Sequence, residues 1–204
     1  VPIIAGWPDT VQLRYRDAPP IRVFHCYPDN PWDAPHPLTS IETAREKFAS
    51  VQENYIISAH SHLWLDVQFD RWRVFNSGTV GCPLDGTPGG TYLLLDGDRD
   101  GWTPTFRRVT YDVSRVIAEF ERQDFVGRIG KLGKLIIKEF ETDKLWLYPF
   151  KLWQRSAYPD QVVNDIDVTD EMIDEFMAFD PEDYSPPQYK RANWRPLPVN
   201  MAGN

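Results

Sequence analysis

The 204-residue chain is 42% hydrophobic and 14% aromatic, enough apolar material for one sizeable core. Its formal net charge of -8 excludes a general affinity for nucleic acid or anionic membranes, so a small nucleotide is the one nucleic-acid-like substrate expected. Cys26 and Cys82 are too few for a disulfide framework and fit a reducing compartment, by default the cytoplasm. No run approaches the roughly 18 apolar residues of a membrane span, and the basic start and apolar stretch of a secretory signal are missing. Val1 fits either methionine removal or a start inside a longer reading frame.

Residues 11–16 and 21–24 are β-rich runs on either side of Asp17-Ala-Pro-Pro20, and predict a hairpin whose second strand ends at His25. Pro28, Pro31, Pro35 and Pro37 keep the next stretch irregular. Thr39 or Ser40 then caps a helix running to about Val51, with Ile41, Ala44, Phe48 and Val51 at helical spacing. Residues 54–57 form an apolar run of strand length that delivers Ser58-Ala-His-Ser-His62 just beyond its end. Strands follow over 63–69, 72–76, 91–96 and 103–110, the last two joined by a hairpin turn at Gly97-Asp-Arg-Asp-Gly101.

After Asp112 the texture becomes helical. Val113, Val116, Ile117 and Phe120 recur at helical spacing, as do Ile129, Leu132, Ile136 and Phe140. Arg128, Lys131, Lys134 and Lys138 give the second of these segments a cationic face, read as solvated and neutralised by the ten acidic residues between Asp160 and Asp183. Within that acidic stretch an amphipathic helix is predicted over 169–179. Pro181, Pro186, Pro187, Pro196 and Pro198 predict an extended tail. Trp146 and Trp153 fit a core or a subunit interface, which leaves a homo-oligomer open.

All four histidines lie between residues 25 and 62. His25, His60 and His62 fall at or just past strand ends, where ligands gather in open α/β sheets. Two histidines one residue apart can aim both imidazoles at one metal ion or at two adjacent ions; by spacing alone, this reading and a hydrogen-bonded structural role stand level. His36, between two prolines, reads as a loop residue. Cys26 reads as a small buried hydrophobe, with a soft metal ligand as the alternative.

The order of elements carries more. Strand-His25-x-x-Pro28, Ala59-His60-Ser61-His62, Asn76-Ser-Gly-Thr-Val-Gly81 and Arg107-Arg-Val-Thr-Tyr-Asp112 together resemble the second half of the bacterial calcineurin-like phosphoesterases. In that family V-H-G-S-P-like, G-H-x-H, N-P-G-S-V-G and R-x-V-x-Y-D elements occur in this order. The resemblance covers about residues 8–124 and implies an α/β fold, a β-sandwich flanked by helices, with a helical and acidic carboxyl-terminal extension. Segments 1–124, 125–184 and 185–204 are the corresponding divisions. It further implies two divalent ions, manganese, iron or zinc. His25 and His60 would ligate one and His62 the other, while Asn76, Gly78 and Tyr27 would meet a phosphate mono- or diester substrate. Where the family has glycine, Gly-Ser and proline, this chain has Ala59, Cys26-Tyr27 and Ser77. Tyr27 would narrow the mouth of the site or offer it a hydroxyl or ring.

The family's D-x-H, G-D-x-x and G-N-H-[DE] elements have no counterpart: no histidine is preceded by Asn or stands in a D-x-H, and Gly97-Asp98-Arg99-Asp100 reads as a turn. Two-metal hydrolysis needs a bridging carboxylate and full shells on both ions. The expectation is therefore a fragment whose partner is the amino-terminal half of the same domain, the parent protein being a metallophosphoesterase and the isolated chain weakly active or inactive. The alternatives are a non-catalytic interaction scaffold of the same fold, or a mononuclear zinc hydrolase using all three histidines.

Overall fold

A computed structural model describes residues 5–159, 168–194 and 197. The chain divides into two compact units, one built on the residues up to Val80 with Thr91–Val109 and Leu197, the other on Gly81–Gly90 with the described residues from Thr110 to Trp194.

The first unit centres on a five-stranded sheet in the order β1-β2-β3-β5-β4. β1 (Thr10–Tyr15) and β2 (Ala18–Phe24) form the expected antiparallel hairpin. β2 begins earlier than the sequence predicts, at Ala18, and runs through Pro19 and Pro20. Those prolines lie opposite the irregularity between Leu13 and Tyr15 and ahead of the β3 pairing, so no ladder bond needs their missing N–H. β3 (Tyr55–Ser58) pairs in parallel with both β2 and β5 (Trp72–Ser77), while β4 (Trp64–Phe69) closes the far edge antiparallel to β5.

Strand alternation supplies two apolar faces. On one, Phe24, Ile56, Leu65, Trp72 and Val74 pack against Ala44, Phe48 and Val51. Ala44 belongs to α1 (Ile41–Lys47), whose amino end is capped by the Ser40 hydroxyl accepting from the Thr43 N–H. The helix stops before Val51. A turn completes the apolar spacing, with the Val51 N–H donating to the Phe48 carbonyl at 2.9 Å. On the other face, Ile21, Phe75 and Trp102 form a second cluster with Leu93 and Leu95. It lies under a hairpin of β6 (Gly90–Asp98) and β7 (Gly101–Val109), whose turn is closed by Asp98 Oδ1 accepting from the Asp100 and Gly101 N–H groups. Helix, sheet and hairpin thus form the layers of the expected α/β sandwich.

The second unit is helical: α2 (Val113–Arg122), α3 (Phe125–Ile129), α4 (Gly133–Thr142), α5 (Leu147–Ala157) and α6 (Asp170–Phe176). The continuous helix expected over 129–140 is broken at Gly130, whose φ of 91° ends α3 with a conformation that suits glycine. Trp146 and Trp153 fill the core of this unit with Leu135, Phe150, Ile173 and Phe176. The lysines of the cationic face pair with acidic residues, Lys131 and Lys134 with Asp170 and Lys138 with Glu141. Residues 160–167 of the acidic stretch, like Pro196 and Pro198 of the tail, lie outside the described residues. The described part of that tail is not extended. It folds into 3-10 turns over Pro181–Asp183, Pro187–Tyr189 and Arg191–Asn193, the first two with proline in the opening position, where its fixed φ suits a helical turn. Among the described residues no helix is long and apolar enough to cross a membrane.

Candidate metal centre

The parallel pairing of β2, β3 and β5 sets three carboxyl ends side by side, with Val23 opposite Ile57 and Ser58 opposite Asn76. The chain leaves β2 into His25 and β3 into Ala59-His60. The Ala59 N–H donates to the His25 carbonyl at 3.0 Å, extending the ladder past the strand ends and fixing the two histidine backbones relative to each other.

Beyond Ala59 the backbone turns sharply. The Ser61 N–H reaches back to the Ala59 carbonyl at 2.7 Å, and His60 between them has a φ of 65°. This three-residue turn about a positive φ is a rare and strained form. His62 is also left-handed, at 57°. Non-glycine residues held so typically cost about 1–3 kcal/mol each and persist where the surroundings over-determine them. Asn76 is the over-determining group. Its fully buried side chain donates to the Ala59 carbonyl at 2.9 Å and the Ser61 hydroxyl at 3.1 Å, and accepts from the Gly78 N–H at 2.9 Å. Gly78 has a φ of 81°, and a Cβ there would fall 2.3 Å from Thr91 Oγ1.

The outcome is a close approach of two rings: His25 Nε2 and His60 Nδ1 are 3.4 Å apart, with the rings inclined at 82°. Two nitrogens each about 2.1 Å from a tetrahedral ion would themselves be about 3.4 Å apart. Burial lowers the His60 pKa, and the neighbouring His25 and His62 rings lower it further, which favours the neutral, ligating form. The Asp33 charge and the Trp32 backbone act on the His60 ring as well, each favouring its protonated form. The donor set fits a divalent ion.

Cys26 joins this pair. One ligand atom each from His25, Cys26 and His60 lie within 4.8 Å of one another. The thiol is 6% exposed and its sulfur lies 3.0 Å from the Pro31 carbonyl, held by a loop in which the Tyr27 N–H donates to the Asp33 carbonyl. His62 is not part of the 4.8 Å group, so the three imidazoles do not converge on one ion as a three-histidine mononuclear site requires; a ligand of a second, neighbouring ion would stand farther off in this way.

The other sequence candidates fall around this centre. Tyr27 is 4% exposed, its ring packed against Phe48 in the core at 5.4 Å, so most of its bulk stabilises the sheet–helix layer. It also borders a cavity of about 770 Å³ lined by Trp7, Asp9, Phe24, His25 and Cys26. His36 is a loop residue as expected, its Nδ1 accepting from the Leu38 N–H and its backbone N–H bound to the Thr39 hydroxyl. Sequence reasoning missed the Asp33 carboxylate, whose negative charge acts on Cys26, Tyr27, His36 and His60 alike. The available signal was the proline-punctuated loop between residues 28 and 37, too irregular to place by periodicity.

No family model and no curated protein matches the sequence. Solved structures do. A metallophosphoesterase from Sphaerobacter thermophilus superposes with a TM-score of 0.53 at 18% identity, over 70% of this chain and 60% of that one. A hypothetical protein from Pyrococcus horikoshii gives 0.57 at 17% identity, over 71% of this chain and 54% of that one. About 70% of the chain therefore shares its fold with these two structures, and the chain spans between half and two thirds of their length.

Proposed function

We propose that this chain carries part of the metal centre of a metal-dependent phosphoesterase, in which His25 and His60 hold one divalent ion and His62 a second. The observation that carries the reading is the 3.4 Å separation of His25 Nε2 and His60 Nδ1 at the carboxyl ends of adjacent parallel strands, in a fold shared with a metallophosphoesterase. A bound pair of ions would polarise a phosphate mono- or diester and supply a hydroxide near neutral pH. The residues in hand contribute orientation: Asn76 holds the His60 turn, and the cavity beside His25 would receive the ester.

No Asp or Glu belongs to the ligand group among the described residues, whereas a two-metal site needs a bridging carboxylate. That carboxylate is proposed to come from the remainder of a longer parent protein, working in the reducing cytoplasm in keeping with two cysteines that form no disulfide. Equilibrium dialysis against manganese or zinc, followed by elemental analysis, tests the metal reading. The chain should retain at least one ion per molecule, and His25→Ala and His60→Ala should each lose it. Equal retention by all three proteins would overturn the reading. The 204-residue chain alone should hydrolyse a generic phosphodiester weakly or not at all; turnover at an ordinary enzymatic rate that is abolished by a chelator would refute the incomplete site.

A further inference from the structure

We propose that Cys26 is a third ligand of the ion held by His25 and His60, giving a two-nitrogen, one-sulfur site that selects zinc or cobalt over manganese. The inference rests on the reading that these two imidazoles bind an ion, and it adds a ligand that the resemblance does not assign.

Geometry carries the proposal. The ligand atoms of the three residues lie within 4.8 Å of one another. Around a tetrahedral ion with bonds of about 2.1 Å to nitrogen and about 2.3 Å to sulfur, sulfur and nitrogen stand about 3.6 Å apart. Closing the remaining gap takes a shift of about 1 Å, within reach of a small rotation about the Cys26 side chain. Neighbouring residues on a straight strand would face opposite sides of the sheet. His25 and Cys26 escape that constraint because β2 has ended at Phe24 and the chain enters the loop closed by the Tyr27–Asp33 backbone bond. That loop also aims the sulfur at the Pro31 carbonyl, a polar neighbour.

The chemistry is coordination. A sulfur–metal bond forms as the S–H bond breaks, the thiol proton passes to water, and the Pro31 carbonyl exchanges the sulfur for solvent. No electron changes hands. A thiolate is a soft ligand and suits zinc, while manganese favours oxygen donors. With two nitrogens and one sulfur filled, the fourth tetrahedral position stays open, the arrangement of a site that binds water or substrate.

Cobalt(II) reports the bond directly, because a cobalt–thiolate bond gives a near-ultraviolet charge-transfer band that cobalt–imidazole bonds lack. The intact chain titrated with cobalt chloride should develop this band in step with uptake of one ion. Cys82→Ser should keep it. Cys26→Ser should still take up cobalt through its histidines but without the band, and with zinc affinity lowered at least about tenfold. Cobalt bound to the intact chain without the band would overturn the inference while leaving the two-histidine reading intact. A band that survives in Cys26→Ser would also overturn it. Failure of the intact chain to bind cobalt or zinc at all would remove the histidine reading, and this inference with it. The intact chain's own spectrum decides the question even if a variant folds poorly.

Discussion

Replacing Asn76 by alanine isolates the group that makes the histidine turn affordable. The side chain is fully buried and makes three hydrogen bonds, at 2.9, 3.1 and 2.9 Å, to the Ala59 carbonyl, the Ser61 hydroxyl and the Gly78 N–H. Each such bond contributes about 0.5–1.5 kcal/mol net, and the groups left behind lie at a buried strand end, so Asn76→Ala should destabilise the fold by about 3 kcal/mol. For a chain of this size that corresponds to a fall in Tm of about 6–12 °C. The loss should also reach the metal. With Ala59 and Ser61 released, the His60 turn relaxes from its positive φ and the 3.4 Å approach to His25 is lost, lowering zinc affinity about 10–100-fold, as supporting-group mutations do. Urea unfolding followed by tryptophan fluorescence gives the stability, and zinc titration well below the unfolding midpoint gives the affinity of the folded form. A destabilisation under about 1 kcal/mol would refute the hydrogen-bond argument. An unchanged zinc affinity in a destabilised variant would refute the link between Asn76 and the ligand geometry.

His60 itself allows a test of strain. At a φ of 65° glycine is relaxed and any L-residue with a Cβ is not, so His60→Gly should be more stable than His60→Ala by about 1 kcal/mol in the absence of metal, while neither binds zinc at this ion. Equal stabilities, or a more stable alanine variant, would show that the turn is not strained. Glu53 makes a different prediction. Its side chain is 2% exposed and lies 2.7 Å from the Arg22 guanidinium, and it also accepts from Gln12. Burial alone would raise its pKa, but the Arg22 hydrogen bonds, the backbone and Gln12 together hold it below the ordinary 4.5. A carboxylate whose folded pKa is depressed stabilises the fold above its unfolded pKa, and this stabilisation is lost as pH falls through the folded value. Glu53→Gln should therefore cost about 1–2 kcal/mol at pH 7 and flatten the acid limb of a stability-against-pH profile below pH 4.5. An acid limb identical to that of the intact chain would exclude Glu53 as its source.

Much of the sheet was legible in the residues. Alternating and apolar runs mark β1 to β7 because a strand buried on one face repeats every second residue and one buried on both faces is apolar throughout, and Ser40 announces its helix because a hydroxyl there satisfies an otherwise orphaned N–H. Boundaries were less legible. Gly130 breaks what periodicity reads as one helix, and the prolines of the tail open short helical turns, since spacing reports which side chains are buried and says little about the backbone between them.

The sequence by itself also determined which residues could bind a metal, because three histidines fall at strand ends and only a few side chains have that chemistry. It did not determine which of them meet. That was decided by the parallel register of β2 against β3, by the ladder bond from Ala59 to His25, and by the buried amide of Asn76, which together bring His25 to His60 and Cys26 and leave His62 outside the group. These are contacts between residues 15 to 35 positions apart, and their geometry depends on left-handed backbone at His60 and on a loop without periodicity, neither of which leaves a pattern in the order of the amino acids.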